Sequence, residues 1–242
     1  MDFLTQGLFR SSGVVLRRRI SAEGDISLHL FLKGVGPVWV QAPGSARGRG
    51  RFGGATEPLT WGSFNLYKGP KHLYLKTIDV KDDMWTLRLD PEKLHSALEW
   101  NRMVSRYTCS GVAEDDVLIL LYWTMRSLCE GANPLFLSWR LLWRWLYIRG
   151  EAPDLSKCEQ CGVALKDAVY WSDSGFLCQN CSSNGGSSMI ASKELRLLQA
   201  AAMLPRRNLI SFSSQGAPSD GTEKAFWKTQ IGRLKMILDR SC

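Results

Sequence analysis

Apolar and polar residues tend to alternate from Gly13 to Ile20 and again from Ile26 to Lys33, with the turn-forming run Ser21-Ala22-Glu23-Gly24-Asp25 between them. A period of two puts one set of side chains on a buried face and the other outside, which is the pattern of paired β-strands. A third strand is predicted from Val35 to Ala42, and a fourth and fifth from Leu59 to Tyr67 and His72 to Val80, joined by the turn Lys68-Gly69-Pro70-Lys71. Five short strands at the front of the chain suggest a small closed barrel. Between the third and fourth, the glycine- and arginine-rich run Pro43 to Gly54 cannot form a packed element by itself and is expected to be a mobile loop.

After Asp90-Pro91, a cap followed by proline at the first helical position, the period becomes helical. Helices are predicted over Pro91 to Tyr107, Glu114 to Glu130 and Pro134 to Arg149; the last carries Trp139, Leu142, Trp143 and Leu146 on one apolar face. A further helix is expected from Ser192 to Leu204, with Ser192 as its cap, then an exposed loop from Ser211 to Gly221 and a terminal helix from Thr222 to Arg240. The fold class is therefore α+β: a barrel over residues 1–81, and a helical domain over 82–242 that carries an insertion at about 156–184.

That insertion holds Cys158-Glu-Gln-Cys161 and Cys178-Gln-Asn-Cys181, two CxxC pairs separated by sixteen residues. A tetrahedral zinc ion needs four soft ligands, and each CxxC turn delivers two sulfurs to one side of it. Four sulfurs leave no place for an activated water, so one structural Zn²⁺ per chain is expected, with two disulfides or four buried thiols as the competing readings. The intervening residues fit two short strands, Val169-Tyr170-Trp171 and Phe176-Leu177, around the turn Ser172-Asp173-Ser174-Gly175. The chain has seven cysteines, an odd number, and no apolar amino-terminal block; both fit a reducing, cytoplasmic location. The longest apolar run, Val117 to Met125, is nine residues long, too short to span a bilayer.

The net charge is +8, and it is unevenly placed: residues 1–81 hold 12 Lys and Arg against 5 Asp and Glu, whereas residues 82–242 hold 19 against 18. A concentrated positive field on strand-like sequence points to a polyanion, with nucleic acid ahead of an anionic membrane surface. Arg17, Arg18, Arg19 and Lys33 lie on or beside the first hairpin, Arg47, Arg49 and Arg51 on the loop, and Lys68, Lys71 and Lys76 near the last. Phe31, Trp39, Phe52, Trp61, Phe64, Tyr67 and Tyr74 lie among them. Cations neutralise phosphates and aromatic faces stack on unpaired bases, although most of these aromatics are expected to fill the barrel.

No catalytic residue is predicted. His29, His72 and His95 stand at no metal-ligand spacing to one another, and the chain has no phosphate-cradling glycine loop and no nucleophile elbow. Glu114-Asp115-Asp116 could bind Mg²⁺ in a nuclease, but three acids opening an apolar helix more simply oppose its dipole. A zinc-containing RNA-binding or transcription factor would use the same basic third.

Together these residues resemble the RecO family of bacterial recombination mediators. The likeness rests on Gly13-Val14-Val15-Leu16-Arg17, on Glu23-Gly24-Asp25 before an apolar strand, and on the glycine/arginine loop ending in Arg51-Phe52. Its most specific stretch runs from Leu141-Leu142 through Gly150 and Pro153-Asp154-Leu155 to Cys158, Cys161 and Gly162, with Cys178 and Cys181 closing the site. The resemblance implies an amino-terminal OB-fold and a zinc finger within a helical domain. It also implies a non-catalytic, nucleoid-associated DNA repair protein that binds single- and double-stranded DNA and anneals complementary strands. The implied partners are RecR, single-stranded DNA-binding protein and, indirectly, RecA. DNA contacts carry over to Arg17, Arg18, Arg19, Lys33, Arg47, Arg49 and Arg51, with Lys68 and Lys71 beside them. Where family members commonly have a Lys-Ser pair in the loop, this chain has Arg49-Gly50, which keeps charge and loses a hydroxyl.

Overall fold

The computed structural model describes residues 5–20, 25–43, 52–173, 175–182, 188–215 and 221–240. The chain forms two compact units, Met1–Cys129 and Glu130–Cys242. In the first, β1 (Gly7–Ile20), β2 (Ile26–Leu32), β3 (Gly36–Ala42), β4 (Trp61–Lys68) and β5 (Leu73–Asp82) close in the order β1-β2-β3-β5-β4. Closure depends on the length of β1: its first half, from Gly7 to Val14, pairs with β4, and its second half, from Gly13 to Ile20, pairs with β2. The period of two is kept inside, where Ile26, Leu28, Leu30 and Leu32 of β2 meet Val38, Val40 and Ala42 of β3, Phe64 and Leu66 of β4 and Leu73 and Leu75 of β5.

Three helices belong to the same unit as the barrel: α1 (Trp85–Arg88), α2 (Pro91–Tyr107) and α3 (Asp115–Cys129). The barrel ends close to the boundary expected after residue 81, but the first compact unit continues to Cys129. Asp90 caps α2, its carboxylate accepting from the N–H groups of Glu92 and Lys93. Buried Asn101 of α2 donates to the carbonyls of Val15 (3.1 Å) and Leu16 (3.4 Å) at the point where a bulge shifts the β1 register. The side chain thus supplies hydrogen bonds that the interrupted ladder lacks.

His29 couples this unit to pH. It is buried on β2, its Nδ1 is 2.8 Å from the Ser105 hydroxyl, and its ring stacks on Trp39 at 4.8 Å. Burial first, then the charges of Arg17 and Arg19, lower its pKa from 6.5 to about 4. The unfolded chain therefore takes up the proton first as pH falls, so the neutral ring's contribution is complete above pH 6.5 and is lost between there and about 4. The loss should reach about 3 kcal/mol. Urea unfolding of the wild type and of His29→Gln across this range should show it in the wild type alone; parallel pH profiles would contradict it.

In the second unit, α4 (Pro134–Arg149) packs against α7 (Gly221–Arg240) and α5 (Ser192–Met203). The aromatic stripe of α4 is core: Trp139 and Phe136 meet Trp227 of α7 at ring distances of 5.7 and 5.6 Å. A short helix, α6 (Leu209–Gln215), occupies part of the predicted 211–221 loop. Between α4 and α5, β6 (Val169–Trp171), β7 (Phe176–Leu177) and β8 (Met189–Ile190) form a sheet in the order β7-β6-β8. The first two are the predicted strands, and β8 is an addition. Among the described residues, no helix is long and apolar enough to cross a membrane.

Candidate metal centre and nucleic-acid face

The four cysteines converge beside this small sheet. Asp154 begins the approach, its carboxylate accepting from the N–H groups of Ser156 (2.7 Å) and Lys157 (3.2 Å), which turns the chain into the first CxxC. That turn closes with the Gly162 N–H on the Cys158 carbonyl at 2.8 Å, and Gly162 adopts φ +70°, a conformation glycine takes without strain. The two cysteine segments are also linked, since the Glu159 N–H donates to the Phe176 carbonyl (3.0 Å) and the Cys178 N–H to Cys158 Sγ (3.4 Å).

All four sulfurs lie within 4.8 Å of one another, and Cys161 Sγ is 3.7 Å from Cys178 Sγ. Sulfurs about 2.3 Å from a tetrahedral ion stand about 3.8 Å apart, whereas a disulfide needs about 2.05 Å. All four cysteines are free, so the disulfide reading is set aside. Among the described residues this is the one group of three or more cysteine, histidine or acidic side chains placed to hold a metal. Their protonation fits a cation-binding cluster. Burial opposes the Cys158 thiolate, but the backbone N–H groups of Cys161, Cys178 and Gln160 outweigh it and draw the pKa down to about 6. At Cys181, side-chain hydrogen bonds with Cys161 and Cys178 push the thiol up to about 12. Four adjacent thiolates repel one another, and a bound cation removes that repulsion.

The other predicted residues lie in the first unit. Across the outside of three strands, Arg17 of β1 is opposite His29 of β2, which is opposite Trp39 of β3. Arg17 and Arg19 are exposed, and the Arg19 guanidinium lies 4.5 Å from the centre of the Trp39 ring. Below them Ser27 donates to Gln41 at 2.8 Å. The row presents two cations and an aromatic side chain on one sheet face.

Not every predicted cation joins it. Arg18 is opposite Leu28, on the inward-facing row, and its guanidinium is paired with Glu57. Lys68 is buried, 7% exposed, where an exposed contact was expected. Lys33 and Lys71 are exposed at the strand ends, and Arg47, Arg49 and Arg51 lie outside the described residues. Lys81, Tyr122 and Trp123, which no motif singles out, line a further cleft with Lys33. The acids at the start of α3 are used locally: Asp115 accepts from the Gly34 N–H at 2.7 Å.

A family model described as "Recombination protein O C terminal" matches residues 88–217, more than half of the chain. The chain belongs to the RecO family. It is 27% identical over 230 residues to DNA repair protein RecO of Acetivibrio thermocellus, covering 93% of this chain and 92% of that protein. It is 30% identical over 167 residues to the RecO protein of Thermobifida fusca, covering 64% and 65%. It is also 22% identical over 180 residues to that of Desulforamulus reducens, covering 73% and 70%. RecO membership gives the chain a role in DNA repair and recombination.

Proposed function

We propose that the chain is a non-catalytic recombination mediator. In this reading the barrel is an OB-fold that binds single- and double-stranded DNA, anneals complementary strands, and acts with RecR and single-stranded DNA-binding protein to load RecA. The observation that carries the reading is the row formed by Arg17, Arg19 and Trp39 across β1, β2 and β3. Strands of this kind are where OB-folds engage oligonucleotides. Exposed guanidinium groups neutralise phosphates, and an arginine already stacked on indole offers a flat cationic surface to an unpaired base. Lys71 is a further exposed cation of the same unit, while Arg18 and Lys68 are left out because their side chains are engaged or buried; Arg47, Arg49 and Arg51 lie outside the described residues. Annealing needs no nucleophile. It needs cations that reduce repulsion between two phosphate chains and stacking weak enough for bases to exchange partners.

Zn²⁺ is assigned to Cys158, Cys161, Cys178 and Cys181, on the sulfur spacing and the soft donor set. With four thiolates the ion holds the knuckle together and leaves no position for substrate.

Fluorescence anisotropy with a single-stranded oligonucleotide at increasing salt tests the electrostatic part. Each phosphate contact contributes about 0.7 to the slope of log affinity against log salt. Arg17→Glu with Arg19→Glu should therefore weaken binding and flatten that slope by about 1.4. Affinity that is the same at low and moderate salt would refute the proposal. Preference for RNA in competition would favour the RNA-binding reading, and failure to anneal strands coated with single-stranded DNA-binding protein would reduce the chain to a simple binder.

A further inference from the structure

A cleft of about 270 Å³ opens where α3 meets the barrel wall at β1, β4 and β5, whereas the arginine row crosses β1, β2 and β3. Trp61 of β4 and Tyr122 and Trp123 of α3 line it, with Lys33 and Lys81 among the same lining residues. Gly13 and Gly62, paired across β1 and β4, bring only backbone to it. Neither position has room for a side chain, since a Cβ would fall 2.1 Å from the Phe31 carbonyl oxygen at Gly13 and 2.5 Å from that of Asp79 at Gly62.

The aromatic groups are arranged as a platform. Tyr122 meets Trp61 edge-on at 5.0 Å and Trp123 at 4.9 Å. Trp123 is 39% exposed and Ile119, one helical turn earlier, 51% exposed, so this part of α3 keeps apolar surface in solvent although both residues could have been polar at no cost to the core. Trp61 is nearly buried, and its indole N–H has no acceptor among the described residues, which leaves an unused donor in the wall.

The lining carries two lysines against one acid. Asp82 in the lining is paired with Arg126 at 3.2 Å, and Asp79 is shared by Lys81 at 2.8 Å and Arg10 at 3.2 Å. Lys33 makes no ion pair among the described residues, although the Asp115 carboxylate, held by the Gly34 N–H, keeps its charge nearby. The volume is below the roughly 300–1,000 Å³ of drug-sized ligand sites. The exposed Trp123 indole and the half-buried Tyr122 phenol beside two lysines suit one flat aromatic group joined to an anion, the chemistry of a single nucleotide.

We propose that this cleft holds one unstacked base of a single-stranded nucleic acid, with its neighbouring phosphate neutralised by Lys33 and by Lys81, whose exposed ion pair with Asp79 the phosphate would replace. The proposal rests on the DNA-binding reading above and adds a second contact point to it. A strand held both here and on the arginine row is bound at two places on one barrel, which keeps it extended between them.

The test uses the full chain and a fluorescent oligo-dT, with Trp123→Leu, Trp123→Phe and Lys33→Gln as variants. Both positions are solvent-facing, and thermal midpoints near the wild type establish that the three variants fold. Trp123→Leu should lower affinity by roughly 5- to 100-fold and Trp123→Phe should restore most of it, the range expected for loss of one base–aromatic stack. Lys33→Gln should reduce the salt slope by about 0.7. Wild-type protein that binds while Trp123→Leu and Lys33→Gln match it in affinity and slope would overturn the cleft alone. Wild-type protein that does not bind the oligonucleotide would overturn the cleft and the DNA-binding reading together.

Discussion

Replacing Cys158 and Cys178 together with serine should abolish metal binding and unfold the knuckle from Ser156 to Ile190. Together the two substitutions remove one sulfur from each CxxC pair, so neither half of the chelate survives. Structural zinc in modules of this size contributes about 10–16 kcal/mol of apparent binding free energy at neutral pH, and that energy is available only to the folded knuckle. The sheet β7-β6-β8 contains two- and three-residue strands and buries little beyond Val169, Phe176 and Ile190, far too few contacts to offset the entropy of ordering some thirty residues. The damage should reach α7, because Arg240 donates to the Asp173 carbonyl at 2.8 Å and Arg233 lies 5.3 Å from the centre of the Trp171 ring while also binding Ser188. Metal analysis should fall from about one zinc per chain to almost none, and limited proteolysis should cut within the knuckle. The barrel lies in the other compact unit, so oligonucleotide binding should decline less than thermal stability. An unchanged melting transition in the double variant, or in wild-type protein treated with a chelator, would contradict a structural ion.

The two parts of the proposed function differ in how far the sequence reveals them. The metal centre is legible because CxxC geometry is local: a four-residue turn fixes the direction of two sulfurs, and only the meeting of two such turns has to be inferred. The nucleic-acid face is less so. Arg17, Arg18 and Arg19 are equivalent as composition, but alternation along β1 puts the first and third outside and the second on the row that includes Leu28, where it pairs with Glu57. The same parity takes Lys68 inward, two residues beyond the core residue Leu66. The bulge that sets this phase is between Val15 and Arg17, and nothing in the local sequence announces it.

Element boundaries fail for similar reasons. The first six residues of β1 have no clear apolar face, since Leu8 is 75% exposed, and they form a strand only because β4 supplies a partner. The helix α5 begins with Ser192 inside it, and its cap position is Ala191, whose N–H is received by Glu194 at 2.9 Å. The helix α6 starts at Leu209, ahead of the serine-rich run that reads as a loop. Trp123 and Lys81 line one cleft only through the packing of α3 on the barrel, which brings together residues forty-two positions apart in a way periodicity cannot anticipate.

That packing has a point of weakness at Gly36, and Gly36→Ala should be among the most damaging substitutions in the barrel unit. Gly36 opens β3 at φ +84°, where an L-residue is strained, and a Cβ there would fall 2.0 Å from the Val112 carbonyl oxygen and 2.5 Å from its carbon. Those atoms are backbone in the connection between α2 and α3, which is tied to the same strand by the Gly111 N–H on the Pro37 carbonyl at 3.0 Å. The methyl group cannot be absorbed by a rotamer change, so either β3 or the connection must shift. Strain at positive φ and overpacking each cost about 1–3 kcal/mol, which gives a loss of about 3 kcal/mol or more. Gly34→Ala is the control, because Gly34 has φ +71° but nothing within 4 Å of its Cβ, and should lose only about 1 kcal/mol. Denaturant unfolding of both variants separates the two costs, and equal losses would show that the connection yields freely. Because the connection leads directly into α3, a displaced Val112 also moves Trp123 relative to Trp61. Gly36→Ala should therefore lose oligonucleotide affinity even under conditions where it remains folded, whereas Gly34→Ala should keep it.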